Sequence, residues 1–246
     1  MARLFITGST DGLGYLAAQR LIEQGHRVIL HGRNPQRAQA VRAKLSGAEA
    51  VVIGDLADPD ETRQLAASVN ALGKCDAVIH NAGIDEAPSR AILHVNTLAP
   101  YLLTALIHPP RRLIYLGSDM HWQGQPVLAA VRAGRQISYS DSKLHDLLLA
   151  KAVARRWPSV YANAVDPGWV PTKMGGPHAG DDLTQGFETQ AWLAVSDDTE
   201  ARTSGGYFYH RHPAEYLAAA DDTALQDAFL AACEQITGVA LPPAAP

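Results

Sequence analysis

The chain has little cysteine. Cys75 and Cys233 are the only two in 246 residues, too few for a disulfide framework and not spaced as metal ligands. This favours a reducing compartment, with both thiols serving as buried apolar residues rather than reactive groups. Basic charge is also scarce. The 21 Lys and Arg against 25 Asp and Glu leave a net charge of −4 and a sequence pI near 6.2, so no basic field is available to nucleic acid or to an anionic membrane surface. No apolar stretch approaches the roughly 18 residues of a membrane span. After Arg3 the chain runs straight into the strand-like Leu4-Phe5-Ile6, with no long apolar leader and no cleavage site. The expectation is a soluble, cytoplasmic protein. Neither a Pro/Ser-rich linker nor an internal repeat divides it, so one domain is expected over residues 1–246, with a frayed Pro-rich tail from Leu241 to Pro246.

What is present is an alternation. Short apolar runs at Leu4-Ile6, Val28-Leu30, Ala50-Ile53, Ala77-Ile79, Leu113-Leu116 and Val160-Val165 recur with helical patterns between them, and Tyr207-Phe208-Tyr209 reads as a last strand. The 47% hydrophobic composition supplies a large core. The pattern predicts an α/β fold: a single doubly wound domain, with a parallel sheet of about seven strands and helices on both faces. Leu13, Leu16, Ala17 and Leu21 form one stripe of a first helix that ends at Gly25. Asn34-Pro35 and Asp58-Pro59 each place an N-cap before a proline at the first helical position, Gly47 and Gly73 suit helix ends, and Ala224 to Ile236 reads as a terminal helix.

Between the first strand and the first helix lies Thr7-Gly8-Ser9-Thr10-Asp11-Gly12-Leu13-Gly14. Glycines there let backbone approach a pyrophosphate while the helix N-terminus presents N–H groups to it. Gly8, Ser9, Thr10, Gly12, Leu13 and Gly14 are therefore candidate cofactor contacts, and the spacing is Gly-x-x-x-Gly-x-Gly. The second strand ends Leu30-His31-Gly32-Arg33, without the acid that would bind a ribose 2′-hydroxyl. Arg33 can instead grip a 2′-phosphate, which favours NADP(H) over NAD(H); its alternative is a solvated loop residue.

Tyr139 and Lys143 stand one helical turn apart on a common face. A ketone that accepts hydride gains negative charge on oxygen and needs a proton donor and a polarising hydrogen bond. Tyr139 is the candidate donor, with the Lys143 ammonium expected to lower its pKa from the ordinary value of about 10. Ser118, just after the strand Leu113-Leu116 and Gly117, is placed to donate to the substrate oxygen. Taken singly, each has a structural alternative: a packing tyrosine, a solvated lysine, a turn serine, and for Asn96 a local backbone binder.

With Thr7 through Gly14, Asn81-Ala82-Gly83, Tyr139 through Lys143, Pro167-Gly168 and Thr172, most of the chain resembles the classical short-chain dehydrogenase/reductase family. Within it, Asp166-Pro167-Gly168-Trp169-Val170 and Trp192-Leu193-Ala194-Val195-Ser196 look most like the retinol-dehydrogenase-like and ketoreductase-like branches. The resemblance implies a Rossmann domain and a catalytic set of Asn96, Ser118, Tyr139 and Lys143. In that set Lys143 holds the nicotinamide ribose and Asn96 organises a water for proton relay. It further implies cofactor contacts from Asp55 and Leu56 at the adenine, from Asn81, Ala82 and Gly83, and from Val165, Pro167, Gly168, Val170 and Thr172 on the nicotinamide side, besides Tyr139 and Lys143 themselves. His80 stands where many relatives have a second Asn.

The sequence also departs from that pattern. Only twelve residues separate Gly83 from Asn96, a connection shorter than the resemblance implies. The stretch from Asp119 to Ser138, with Met120, His121, Trp122, Val127 and Leu128, is long and is expected to form an amphipathic flap over a bulky apolar ligand. A lid is expected over about residues 172–190. His178, His210 and His212 lack metal-ligand spacing, and no metal is expected. The expected reaction is hydride transfer between NADPH and a small-to-medium, apolar ketone or secondary alcohol. Its alternatives are a non-catalytic NADP(H) sensor and a sugar-nucleotide epimerase. A homodimer or homotetramer follows from the resemblance alone.

Overall fold

The computed structural model describes residues 1–85 and 89–243. The end of the tail expected to fray, and part of the short connection before Asn96, lie outside the described residues. The sheet runs in the order β3-β2-β1-β4-β5-β6-β7-β8. Its strands are β1 (Arg3–Ile6), β2 (Arg27–Gly32), β3 (Ala50–Ile53), β4 (Ala77–His80), β5 (Arg112–Leu116), β6 (Tyr161–Asp166), β7 (Tyr207–Tyr209) and β8 (His212–Pro213). The first seven are parallel, and the two-residue β8 adds an antiparallel edge that the sequence did not announce. The strands are short unbroken apolar runs because both of their faces are buried.

The helices are α1 (Gly12–Glu23), α2 (Pro35–Lys44), α3 (Pro59–Ala71), α4 (Ser89–Ile92), α5 (Ala99–Leu106), α6 (Leu128–Arg132), α7 (Tyr139–Arg156), α8 (Leu183–Val195) and α9 (Thr223–Thr237). Alternation along the strands divides the core in two. Leu4, Ile6, Val28, Leu30, Ile79 and Ile114 pack with residues of α1, α2 and α8. Phe5, Ile29, Val78, Leu113 and Tyr115 face α3, α5, α7 and α9. Arg112, only 5% exposed, fastens α8 by donating to Leu193 O at 2.8 Å and to Ser196 O at 2.6 Å, the carbonyls at the end of that helix.

Because β1 neighbours β2 on one side and β4 on the other, chain direction across the sheet reverses between β1 and β4. A crevice therefore opens beyond their C-terminal ends, where doubly wound sheets bind ligands. Three local departures from expectation matter there. Leu93–Leu98 is a π-helical turn between α4 and α5, a widened geometry common at functional sites. The expected flap is a 3-10 turn (Asp119–Gln123) followed by α6, and its His121, Val131 and Ile137 are buried. From Leu183 the expected lid is α8, whose Gly186, Thr189 and Gln190 are buried, so loop is confined to residues 172–182.

Candidate active site

The glycine loop is shaped by what lies under it. Asn81 Nδ2 donates to Thr7 O at 2.9 Å, and the Ala82 amide donates to Thr7 Oγ1 at 3.0 Å, pinning the loop to the end of β4. A Cβ on Gly14 would fall 2.3 Å from Asn81 Nδ2 and 2.8 Å from Gly8 O, and Gly8 itself has φ +65° with Ala82 Cα 2.9 Å from where its Cβ would sit. Ordinary side chains cannot occupy either position. Asp11 caps α1 through the Gly12 amide alone, at 3.0 Å. Among the described residues, no hydrogen bond of the surrounding loops takes the Leu13 or Gly14 amide, leaving a donor pair at a helix N-terminus, which suits a phosphate. Lys173 reaches across from the loop after β6 to pair with Asp11.

His31 ties this loop to its neighbours. Its Nδ1 accepts the Gly8 amide at 2.9 Å, and its Nε2 lies 2.8 Å from Gly54 O, which requires the proton on Nε2. Burial holds its pKa below the ordinary value, so the ring stays neutral. Arg33, just past β2, is exposed. Arg37, in the first turn of α2, is exposed too, and its charge acts on Asp11 in the glycine loop. Asp55 accepts the Ala57 amide at 3.0 Å, and Leu56 is buried in the core. Val165, expected beside the nicotinamide, is wholly buried against the face that carries α8.

Tyr139 and Lys143 are fixed by the start of α7. Ser138 Oγ accepts the Asp141 amide at 3.0 Å while Asp141 Oδ2 accepts the Ser138 amide at 2.8 Å, a reciprocal cap that makes Tyr139 the first helical residue. Lys143 Nζ donates to Leu116 O at 2.6 Å and to Asp146 Oδ2 at 2.9 Å, and lies 5.3 Å from the centre of the Tyr139 ring. Two of its three N–H donors are thereby spent inside the protein, and one remains for a ligand. The Lys143 and Asp146 side chains are each 5% exposed. Burial raises the Asp146 carboxyl to about 6, and Lys143, despite its own burial, is raised by Asp146, so the ammonium is secure near neutrality.

The expected lowering of the Tyr139 pKa is outweighed. Burial raises it, Lys143 lowers it, and Asp146, Asp85 and Asp166 raise it further, so the net direction is upward. Asn96, on the π-helical turn and 1% exposed, uses both ends of its amide on protein. Its Nδ2 donates to Ile84 O at 2.8 Å and to Ser142 Oγ at 3.0 Å, while its Oδ1 accepts the Ile84 amide at 2.9 Å. It laces the chain after β4 to α7. Ser118 sits two residues beyond the carbonyl that holds Lys143. It caps the 3-10 turn by accepting the Met120 amide at 3.2 Å, and it donates to Asp119 Oδ1 at 3.0 Å. Its proton must leave Asp119 to reach any substrate oxygen.

Beyond Ser118 opens a cavity of about 280 Å³, lined by Asp119, Trp122, Asp166, Gly168, Trp169, Asp181, Tyr207, Tyr209, Ala214 and Glu215. It differs from the apolar wall expected of the flap: four carboxylates and four aromatic rings surround it. Asp166 Oδ1 accepts the Gly168 amide at 2.8 Å and Asp181 Oδ2 accepts the Trp169 amide at 2.6 Å, fixing the turn around Pro167. Of these residues, sequence reading had singled out only Trp122 and Gly168 for the site. Arg37 and Asp146 were missed as well, although Asp146 is the i+3 neighbour of Lys143 and that spacing was a usable signal.

Residues 3–182 match the short chain dehydrogenase family. The chain is 41% identical to the uncharacterized oxidoreductase AN7799 of Emericella nidulans, across 98% of this chain and 99% of that protein. It is 31% identical to a provisionally assigned daunorubicin C-13 ketoreductase, DnrU, of a Streptomyces species, across 85% and 83% of the two chains. Among solved structures, a Mycobacterium paratuberculosis protein of uncharacterized function superposes with a TM-score of 0.82 at 25% identity, covering 98% of this chain and 95% of that one. A blue fluorescent protein from a metagenomic library, solved with NADPH, superposes with a TM-score of 0.69 at 24% identity over 84% and 95% of the two chains.

Proposed function

The chain belongs to the short-chain dehydrogenase family, and from that premise we propose that it is an NADP(H)-dependent oxidoreductase interconverting a ketone and a secondary alcohol. The observation that carries this reading is the Lys143 ammonium, held by Leu116 O and Asp146 with one donor free, 5.3 Å from the Tyr139 ring. A bound nicotinamide would supply or accept the hydride. The donor pair at Leu13 and Gly14 fits its diphosphate, Lys143 fits a ribose hydroxyl, and Arg33 with Arg37 fits the 2′-phosphate.

In the reducing direction, charge develops on the carbonyl oxygen. Ser118 turns its hydroxyl from Asp119 to that oxygen, and Tyr139 delivers the phenolic proton to it. The upward direction of the Tyr139 pKa keeps it protonated and ready as an acid near neutrality. Lys143 stabilises the phenolate left behind, and Asn96 holds α7 and the chain after β4 in register around both. The 31% identical ketoreductase supports a ketone as the reducible group.

The test is NADPH oxidation across aromatic, aliphatic, steroid-like and quinone carbonyls, run beside Tyr139→Phe. That substitution should leave NADPH binding intact and lower kcat by about a thousandfold, within the range for loss of a general acid. Retained turnover in Tyr139→Phe would refute its role. Tight NADPH binding without turnover of any carbonyl would favour the sensor.

A further inference from the structure

The cavity beyond Ser118 has a chemical bias that ketone reduction does not require. Asp119, Asp166, Asp181 and Glu215 all line it, and among the described residues no Lys, Arg or His does. Three of the carboxylates hold an amide or a hydroxyl, at Gly168, Trp169 and Ser118, but none of those donors carries a charge. Among the described residues, no three carboxylate, imidazole or thiol groups are gathered closely enough to hold a metal ion. Charge spread around a wide wall suits a large, diffuse cation instead.

Aromatic surface sits among those charges. Trp122 and Trp169, 50% and 59% exposed, are two of the most exposed large apolar side chains among the described residues, and both line this cavity. Each offers an indole, the best ring for attracting a cation. The Trp169 indole is tethered through Nε1 to Gly175 O at 2.9 Å. Tyr209 is a third ring, and Tyr207 a fourth.

Tyr207 ties the rings to the carboxylates. It is 3% exposed and lines the cavity, and its buried hydroxyl pairs with the Asp166 carboxylate. The nearby Asp166 carboxylate acts on its ionisation, and with burial keeps the phenol protonated. Burial, followed by the Asp119 charge, also pushes the Asp166 carboxyl upward, a cost that a cation in the cavity would relieve.

We propose that this cavity is a subsite for an organic ammonium group, and that the substrate is a ketone or secondary alcohol bearing a protonated tertiary or quaternary nitrogen. The proposal rests on the carbonyl-reductase reading of Ser118 and Tyr139. The carbonyl would lie at Ser118 and the cationic nitrogen among the indoles of Trp122 and Trp169, with Asp181 and Glu215 supplying counter-charge.

The test uses two ketones of one shape: para-(trimethylammoniomethyl)acetophenone and its neutral isostere para-neopentylacetophenone. The ammonium ketone should show a kcat/KM roughly tenfold above the isostere at low salt, the scale of cation–π contacts assisted by nearby carboxylates. That preference should shrink as salt screens it. Combining Asp181→Asn with Glu215→Gln should reduce it severalfold. Binding is read separately by tryptophan fluorescence, with benzyltrimethylammonium against neopentylbenzene. Turnover of both ketones at equal kcat/KM, with equal quenching by the two probes, would overturn the subsite and leave the reductase standing. No turnover of either ketone, with quenching selective for benzyltrimethylammonium and weakened in the double variant, would uphold the subsite and overturn the reductase.

Discussion

The two ends of the active-site edge are electrostatic opposites. At the β1 end, an anion would be met by backbone: amides at Leu13 and Gly14 that no surrounding loop takes up among the described residues, glycines with no room for side chains, and two arginines at the rim. At the β6–β7 end, four carboxylates and four rings surround a cavity that no basic side chain lines among the described residues. Between them stands Lys143, buried and neutralised by Asp146. One end works by shape and the other by charge. Substitutions that add bulk should therefore cripple the first, and changes of charge or salt should act mainly on the second.

The largest expected effect is acid destabilisation, which falls on two histidines buried between the ends, His80 against Tyr115 and His145 against Phe229. His80 and His145 are held down by burial to about 3 and about 4, so each binds a proton more readily unfolded than folded. Their contribution is present above the unfolded pKa and is lost as pH falls through the folded values. By pH 5 each should cost about 2 kcal/mol. Asp146, raised to about 6, has the opposite sign and regains about 1 kcal/mol over the same window. Urea midpoints at pH 7.5 and 5 should therefore reveal a net loss of about 3 kcal/mol. A flat profile would mean that these rings are not held neutral.

Next in size is bulk at the first end. Gly14→Ala forces a methyl against Asn81 Nδ2 and Gly8 O, and overpacking of this kind costs about 2 kcal/mol. NADPH affinity by titration calorimetry should fall roughly 30-fold, with little dependence on salt. A steep salt dependence would blur the distinction between the two ends. Smaller still is Arg33→Ala. It should weaken NADPH about tenfold and NADH scarcely at all, the scale of one charge-assisted contact at an exposed site. Equal effects on both cofactors would remove the 2′-phosphate assignment.

The finest effect tests the boundary. Asp146 raises the Tyr139 pKa, so Asp146→Asn should move the rising limb of the pH profile for alcohol oxidation to lower pH. An unmoved limb would reduce Asp146 to packing.

Legibility in the sequence follows the range of the interactions. Strands, caps and the glycine loop are written within a few neighbouring residues. So is the Tyr139/Lys143 pair, because Ser138 and Asp141 start the helix locally. Its chemistry was read less completely: burial reverses the direction expected from Lys143 alone, and burial is a property of the whole fold. The π-helical turn at Asn96 escaped because its hydrogen bonds answer to Ile84 and Ser142, partners distant in sequence. The acidic cavity escaped for the same reason. Asp119, Asp166, Asp181 and Glu215 are isolated letters until β5, β6 and β7 bring their loops together. Where a flap was expected from local amphipathicity, the apolar residues Val131 and Ile137 serve the core instead.

His31 is a crossbrace. One nitrogen suspends the Gly8 amide of the glycine loop and the other grips the carbonyl just before Asp55, so the ends of β1, β2 and β3 share a single rigid ring. The floor on which a diphosphate would rest and the wall that an adenine would meet are then not independent parts. A strain applied at either is carried to the other through an imidazole that must keep one tautomer, and a dinucleotide would meet them as one preset mould rather than two surfaces that adjust in turn.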